Sequence, residues 1–170
     1  MADDVFDDQE HGDLSALDFD LGSWEDLEEE RDYIMEPGEK GFVLEGWEAS
    51  FSQKSNHAMI NFKFRSVGND NARDNDKVMF RNVMIAGPAR TTPFGIVDFC
   101  RALPRDGNGS PQRFEGTAAE KVELLNAWMG LEMRATVKQS PRQDAEGNAV
   151  LKADGTPEMR AEIDRFIVHA

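Results

Sequence analysis

From residue 41 onward the pattern of apolar and polar residues becomes that of strands, clearest where the two alternate at every second position. "GFVLEGWEASFSQ" (41–53) is predicted as a first strand, rich in aromatic and branched residues, with Gly46 placed to allow a bend or bulge. "KSNH" makes a turn, and "HAMINFKFRSV" (57–67) a second strand. In it Ile60, Phe62 and Phe64 alternate with Asn61, Lys63 and Arg65, so one face is apolar and the other mostly basic. After a polar loop, "VGNDNARDND" (67–76), a third strand runs through "KVMFRNVMIA" (77–86). It puts Met79, Arg81 and Val83 on one face and Val78, Phe80, Asn82 and Met84 on the other.

The period then lengthens. In "TTPFGIVDFCRALP", Thr92 caps a helix, Pro93 takes its first position and Pro104 ends it. Ile96, Phe99, Cys100 and Leu103 fall at helical spacing, which makes Cys100 a packing residue rather than a reactive thiol. "TAAEKVELLNAWMG" is a second helix, opened by a Thr117–Glu120 capping box and closed by Gly130, with Ala118, Val122, Leu125 and Met129 inward. "LEMRATVKQ" (131–139) returns to strict alternation, and the remainder reads as a hairpin turning at Asp154-Gly155 and a terminal strand. Three strands, a helical insertion and two further strands predict a mainly β fold with some helix. The best match is a five-stranded OB-like Greek-key barrel with the helices between strands three and four. Another α+β sandwich would share the same order.

Before this body the pattern dissolves. Residues 1–36 carry fifteen acidic side chains and one basic, which accounts for the whole formal net charge of −14; residues 37–170 balance. The chain is therefore expected to divide into an acidic, flexible segment (1–36) and a folded domain (37–170), with Pro37 and Gly38 at the boundary. Within the acidic segment, Leu14, Leu17, Leu21 and Trp24 share one helical face interrupted by Gly22, and Ser23 with Asp26 resembles a cap for a short helix. Two roles fit this segment: a solubilising tail, or a recruiting one that docks partners through those four apolar residues.

Chemistry is sparse. One cysteine and three scattered histidines give no zinc pattern, and no phosphate-cradling glycine loop or nucleophile motif occurs. Asp70, Asp74 and Asp76 lack the spacing and terminal glutamate of a calcium loop, so a solvated hairpin loop is expected there. No cofactor and no enzymatic activity are expected. "MADDVFDDQEHGD" has no basic region followed by an apolar core, which predicts a cytoplasmic protein.

Binding is better supported. Residues 54–113 hold ten basic side chains against five acidic ones inside a neutral domain. Lys54, Lys63, Arg65, Lys77, Arg81 and Arg90 cluster around the first hairpins, interleaved with aromatic residues. Phe62, Phe64 and Phe99 belong to the core; Trp47, Phe51 and Phe80 are the candidates for outward rings. Cations for phosphates and flat rings for unstacked bases are what single-stranded nucleic acid requires.

The run "PGEKGFVLEGWEASFSQKSNHAMINFKFRSV", then "KVMFRNVMIA", "TPFGIVDFCRAL", "NAWMGLEMRATVKQ" and "AEIDRFIVHA" resembles a family of phage single-stranded DNA-binding proteins, over residues 37–170. The turn pattern falls on Lys54, Ser55 and Asn56, and the strand after the helix on Gly130 to Lys138. The resemblance implies an OB fold and a role in phage DNA replication or recombination, inside a bacterial host. The chain departs from it in a long loop, "LPRDGNGSPQRFEG", and in carrying its acidic segment at the N-terminus. An acidic tail tethered to a basic groove would also compete with DNA for it. The competing readings are a protein-interaction module or inhibitor whose acidic segment mimics nucleic acid, and a self-assembling virion protein.

Overall fold

The computed structural model describes residues 13–53, 56–86 and 94–170. The chain forms two compact units, Met1–Tyr33 and Ile34–Ala170. In the second, five strands make one antiparallel sheet: β1 (Gly38–Phe51), β2 (Ala58–Ser66), β3 (Val78–Ala86), β4 (Glu132–Pro141) and β5 (Met159–Phe166), ordered β3-β2-β1-β4-β5. β1 is long enough to serve two partners. It pairs with β4 from Gly38↔Val137 to Val43↔Glu132 and with β2 from Phe42↔Ser66 to Phe51↔Ala58. The sheet curls into a half-barrel with the strand order of an OB fold, helices being inserted between β3 and β4. These pairings make β3 and β5 parallel. The curl brings their Cα atoms within 8 Å, yet no ladder joins them among the described residues.

The concave face is the core. Alternation on β2 buries Ile60, Phe62 and Phe64, and β4 buries Met133, Ala135 and Val137. Helix α2 (Phe94–Ala102) lies across this face against β3, β4 and β5 with its apolar stripe inward. Phe99 stacks on Phe62 at 4.1 Å between centroids and lies edge-on to Phe166 at 5.4 Å. Cys100 lies in the same stripe, and burial pushes its thiol up to about 12, so it has no reactive thiolate at neutral pH. The expected helix start at Thr92 and Pro93 lies outside the described residues.

Helix α3 (Ala118–Trp128) has the complete capping box: Glu120 N donates to Thr117 Oγ1, and Thr117 N to Glu120 Oε2. Its buried residues are Leu125 and Trp128, not the expected stripe from Ala118, for Val122 is exposed. The reason is Trp128, which lies against Phe99 and Phe114 and donates its indole N–H to Gln112 Oε1 at 3.2 Å. It anchors only the C-terminal half of the helix, so the first turns stay in solvent.

Two loops are more structured than their composition suggests. The β2–β3 loop, expected to be solvated, contains a 3-10 turn (Ala72–Asp74) that buries Asp74 completely. Its carboxylate takes Lys40 Nζ at 2.5 Å and Glu36 N at 3.3 Å, tying the loop to the start of β1. Gly41 lies under the same loop. A Cβ there would sit 2.6 Å from the Val67 carbonyl oxygen, and the Asn69 amide bonds both of its backbone groups. The β4–β5 connection folds back twice rather than once, turning at Asp144–Gly147 as well as before Gly155, with bridges Gln143↔Ala149 and Leu151↔Pro157. Asp144 and Asp154 each cap their turn by accepting from backbone N–H groups two to four residues on.

The described part of the first unit holds a 3-10 turn (Leu14–Asp18) and helix α1 (Trp24–Asp32), with Ser23 Oγ accepting from Asp26 N. Leu14, Leu17, Leu21 and Trp24 therefore share no continuous helical face. Gly22 at φ +78° separates the two elements, a backbone conformation that costs glycine nothing. Leu17, Leu21 and Trp24 are all largely exposed. Among the described residues no helix is long and apolar enough to cross a membrane.

Candidate nucleic-acid interface

On the convex face, β2 and β3 turn outward the residues that alternate with the core. The register sets Lys63 opposite Phe80, Asn61 opposite Asn82, Arg65 opposite Val78 and Met59 opposite Met84. Phe80, opposite Lys63 in the ladder, is 59% exposed rather than packed away. Beside it the Asn61 amide donates to Asn82 Oδ1 at 2.7 Å, leaving a polar pair on the surface. This face carries exposed basic and aromatic side chains of the kind that nucleic-acid binding uses.

The face continues into the seam between β3 and β5. A cleft of about 460 Å³ runs there, lined by Phe80, Arg81 and Asn82 from β3, Arg160 and Glu162 from β5, and Asn61. Arg81 has the inward parity of Met79 and Val83, but at the open edge of the sheet its side chain is exposed. It has no ion-pair partner among the described residues. Arg160 reaches Glu162 Oε2 at 3.2 Å. An added strand would need about 9.5 Å between β3 and β5, two ladder spacings, so peptide insertion is excluded where they approach within 8 Å.

Electrostatics separate the cations more sharply than position does. Glu45 accepts from Arg65 Nε and from Arg65 Nη2 at 3.3 Å, and it lies 3.5 Å from Lys63 Nζ. The Arg65 hydrogen bond holds the Glu45 carboxyl below the usual carboxylate range against its desolvation, and Glu45 in turn raises Arg65. The same lacing recurs elsewhere on the convex face, where Glu39 pairs with Arg134, and Glu162 and Asp164 with Lys138. Lys138 is raised, first of all by its hydrogen bond to Asp164. Arg81 alone of the predicted site's described outward cations is left unmatched on this accounting, Lys77 lying half-buried opposite Ser66 with interactions of its own.

The predicted site residues thus do not form one surface. Lys63, Arg65 and Phe80 come together, with Arg81 at the adjoining seam. Trp47 is not outward: it packs on the core, and its indole N–H donates to Asn126 Oδ1 at 3.1 Å, because its partner across the ladder is the buried Phe62. Phe51 is 67% exposed but has concave-side parity, at the far end of β1 beyond the core. Lys54 and Arg90 lie outside the described residues. Three participants escaped the sequence reading: Glu45, the Asn61–Asn82 pair and Arg160. The alternation of Asn61 with Lys63 and of Asn82 with Phe80 was the available signal for the pair; for Glu45 and Arg160 only pairing across strands gives one. Among the described residues no group of three or more potential metal-ligating side chains converges. In comparisons with known proteins, no family model and no curated sequence matches the chain; what the fold resembles is an OB-like curled half-barrel.

Proposed function

We propose that the body binds single-stranded DNA without sequence preference, in phage DNA replication or recombination. The observation that carries this reading is Phe80, an exposed ring on the β2–β3 face with Lys63 across the ladder and Arg81 beside it at the seam. Every base has a face that can stack on such a ring, at about 1–3 kcal/mol per base, so affinity comes without a sequence code. Lys and Arg contacts to phosphate make binding fall with salt, by about 0.7 in log–log slope per phosphate on single strands. Fluorescence titration with oligo-dT at low and high salt tests it. Binding at low micromolar protein that weakens with salt is the expected result; no binding in low salt sinks the reading.

The acidic segment has two roles open to it under this proposal. Exposed Leu17, Leu21 and Trp24 against an acidic background suit recruitment of a replication or recombination protein with a basic, apolar groove. Competition with DNA is the other role, and deleting residues 1–32 then tightens oligo-dT binding. The same exposed segment also favours a second reading, an interaction module whose acidic segment imitates nucleic acid. That reading predicts no oligo-dT affinity for the body and capture of a host protein that depends on the segment.

A further inference from the structure

β1 has one more residue than β2 at a single place. Leu44 stands opposite Phe64 and Gly46 opposite Lys63, which leaves Glu45 as the extra residue of a bulge. A bulge re-aims the side chain it inserts. Here it sets a carboxylate over the convex face of β2, against the Arg65 fork and within 3.5 Å of the Lys63 ammonium. A carboxylate and a phosphate offer a guanidinium the same pair of acceptor oxygens. Glu45 therefore occupies the position that a backbone phosphate would take on these two cations.

Resting on the single-stranded DNA reading, we propose that Glu45 is a built-in competitor for phosphate. DNA engages Lys63 and Arg65 only by displacing the Glu45 carboxylate, which sets affinity and reserves those cations for polyanions that also grip elsewhere, at Phe80 and Arg81. Three features make the exchange feasible. The Glu45, Lys63 and Arg65 side chains are all partly exposed, so a ligand can reach them, and ion pairs in solvent are weakly held. Arg65 is also fastened by a bond from Nη1 to the Asp76 carbonyl at 3.3 Å, so its guanidinium has a remaining anchor when Glu45 leaves. The carboxylate is held in its charged form by Arg65, so it competes at neutral pH. A free mononucleotide brings one phosphate group and one base; an oligonucleotide brings several of each, and so several simultaneous grips.

The test is oligo-dT titration of the full chain and its Glu45→Gln variant between about 50 mM and 200 mM salt, with a thermal melt of each. Glu45→Gln is expected to bind about fivefold tighter at low salt and to steepen the salt slope by about 0.7–1.4, for one or two phosphates gained. Wild type binding with Glu45→Gln unchanged or weaker, at a native-like melting midpoint, overturns the proposal while the DNA-binding reading stands. Binding by neither protein overturns both. Should Glu45→Gln fail to fold, Lys63→Gln/Arg65→Gln in the wild-type chain decides. The proposal expects less than about a threefold loss, because those charges are already matched. A loss of about tenfold or more overturns it.

Discussion

β1 carries both partners of a contrast. Lys40, near its start, pairs with Asp74; Glu45, five positions on, pairs with Lys63 and Arg65. The two contacts have the same chemistry and opposite surroundings. Asp74 is fully buried and the Lys40 side chain nearly so, whereas the Glu45 cluster is open to water. In the first, each charge has given up its hydration and depends on the other, so the pair fastens the β2–β3 loop to the sheet. In the second, water stands ready to replace either partner, so the contact adds little to folding and is available for exchange. Burial, rather than the presence of an ion pair, decides which contact holds the fold and which is open to exchange.

The largest effect that tests this contrast is at the buried pair. Asp74→Ala leaves Lys40 uncompensated and is expected to cost about 3–5 kcal/mol in urea denaturation, part of which Lys40→Met in the same chain recovers. A loss too small to measure would mean that the loop does not hold β1. Next comes Phe80→Ala, which removes an exposed ring and is expected to weaken oligo-dT binding by about 1–3 kcal/mol while the melting midpoint holds. Phe51→Ala, at an equally exposed ring with the other parity, is expected to leave affinity unchanged. Equal losses at both would show that the DNA path crosses both faces of β1–β3. A smaller difference should separate the cations: Arg81→Gln lowers affinity more than Lys63→Gln in side-by-side titrations, since among the described residues Arg81 has no acid to release. The smallest expected effect is on stability at Glu45→Gln, whose denaturation midpoint should match the wild type. A clear drop there would make the exposed cluster structural after all.

Much of this organisation could be read from local pattern. Alternation in β2 predicted which of its residues are core, and Phe62 and Phe64 are fully buried as that pattern requires. The Thr117–Glu120 box and the Ile96–Leu103 stripe needed only neighbours within two helical turns. Gly46 marked the bulge, though not that its extra residue would be Glu45. The site was less legible. Trp47 and Phe51 are four residues apart on one strand, and composition makes them equal candidates. Trp47 is half-buried because it shares the concave face with Phe62 and bonds Asn126, and Phe51 is bare because the strand outruns the core.

Element types and their order follow from forces acting along the chain: backbone geometry, caps, turn residues and the burial of every second side chain. Those forces suffice for an OB-like arrangement with helices between β3 and β4. They are silent on which charge meets which, because a carboxylate in a polar loop looks the same whether it ends in water or under Lys40. Register across strands, the bulge that turns Glu45 toward β2 and the curl that brings β3 and β5 face to face placed those charges. Each depends on contacts between residues tens of positions apart, where the free energy lies in burial and pairing rather than in local propensity.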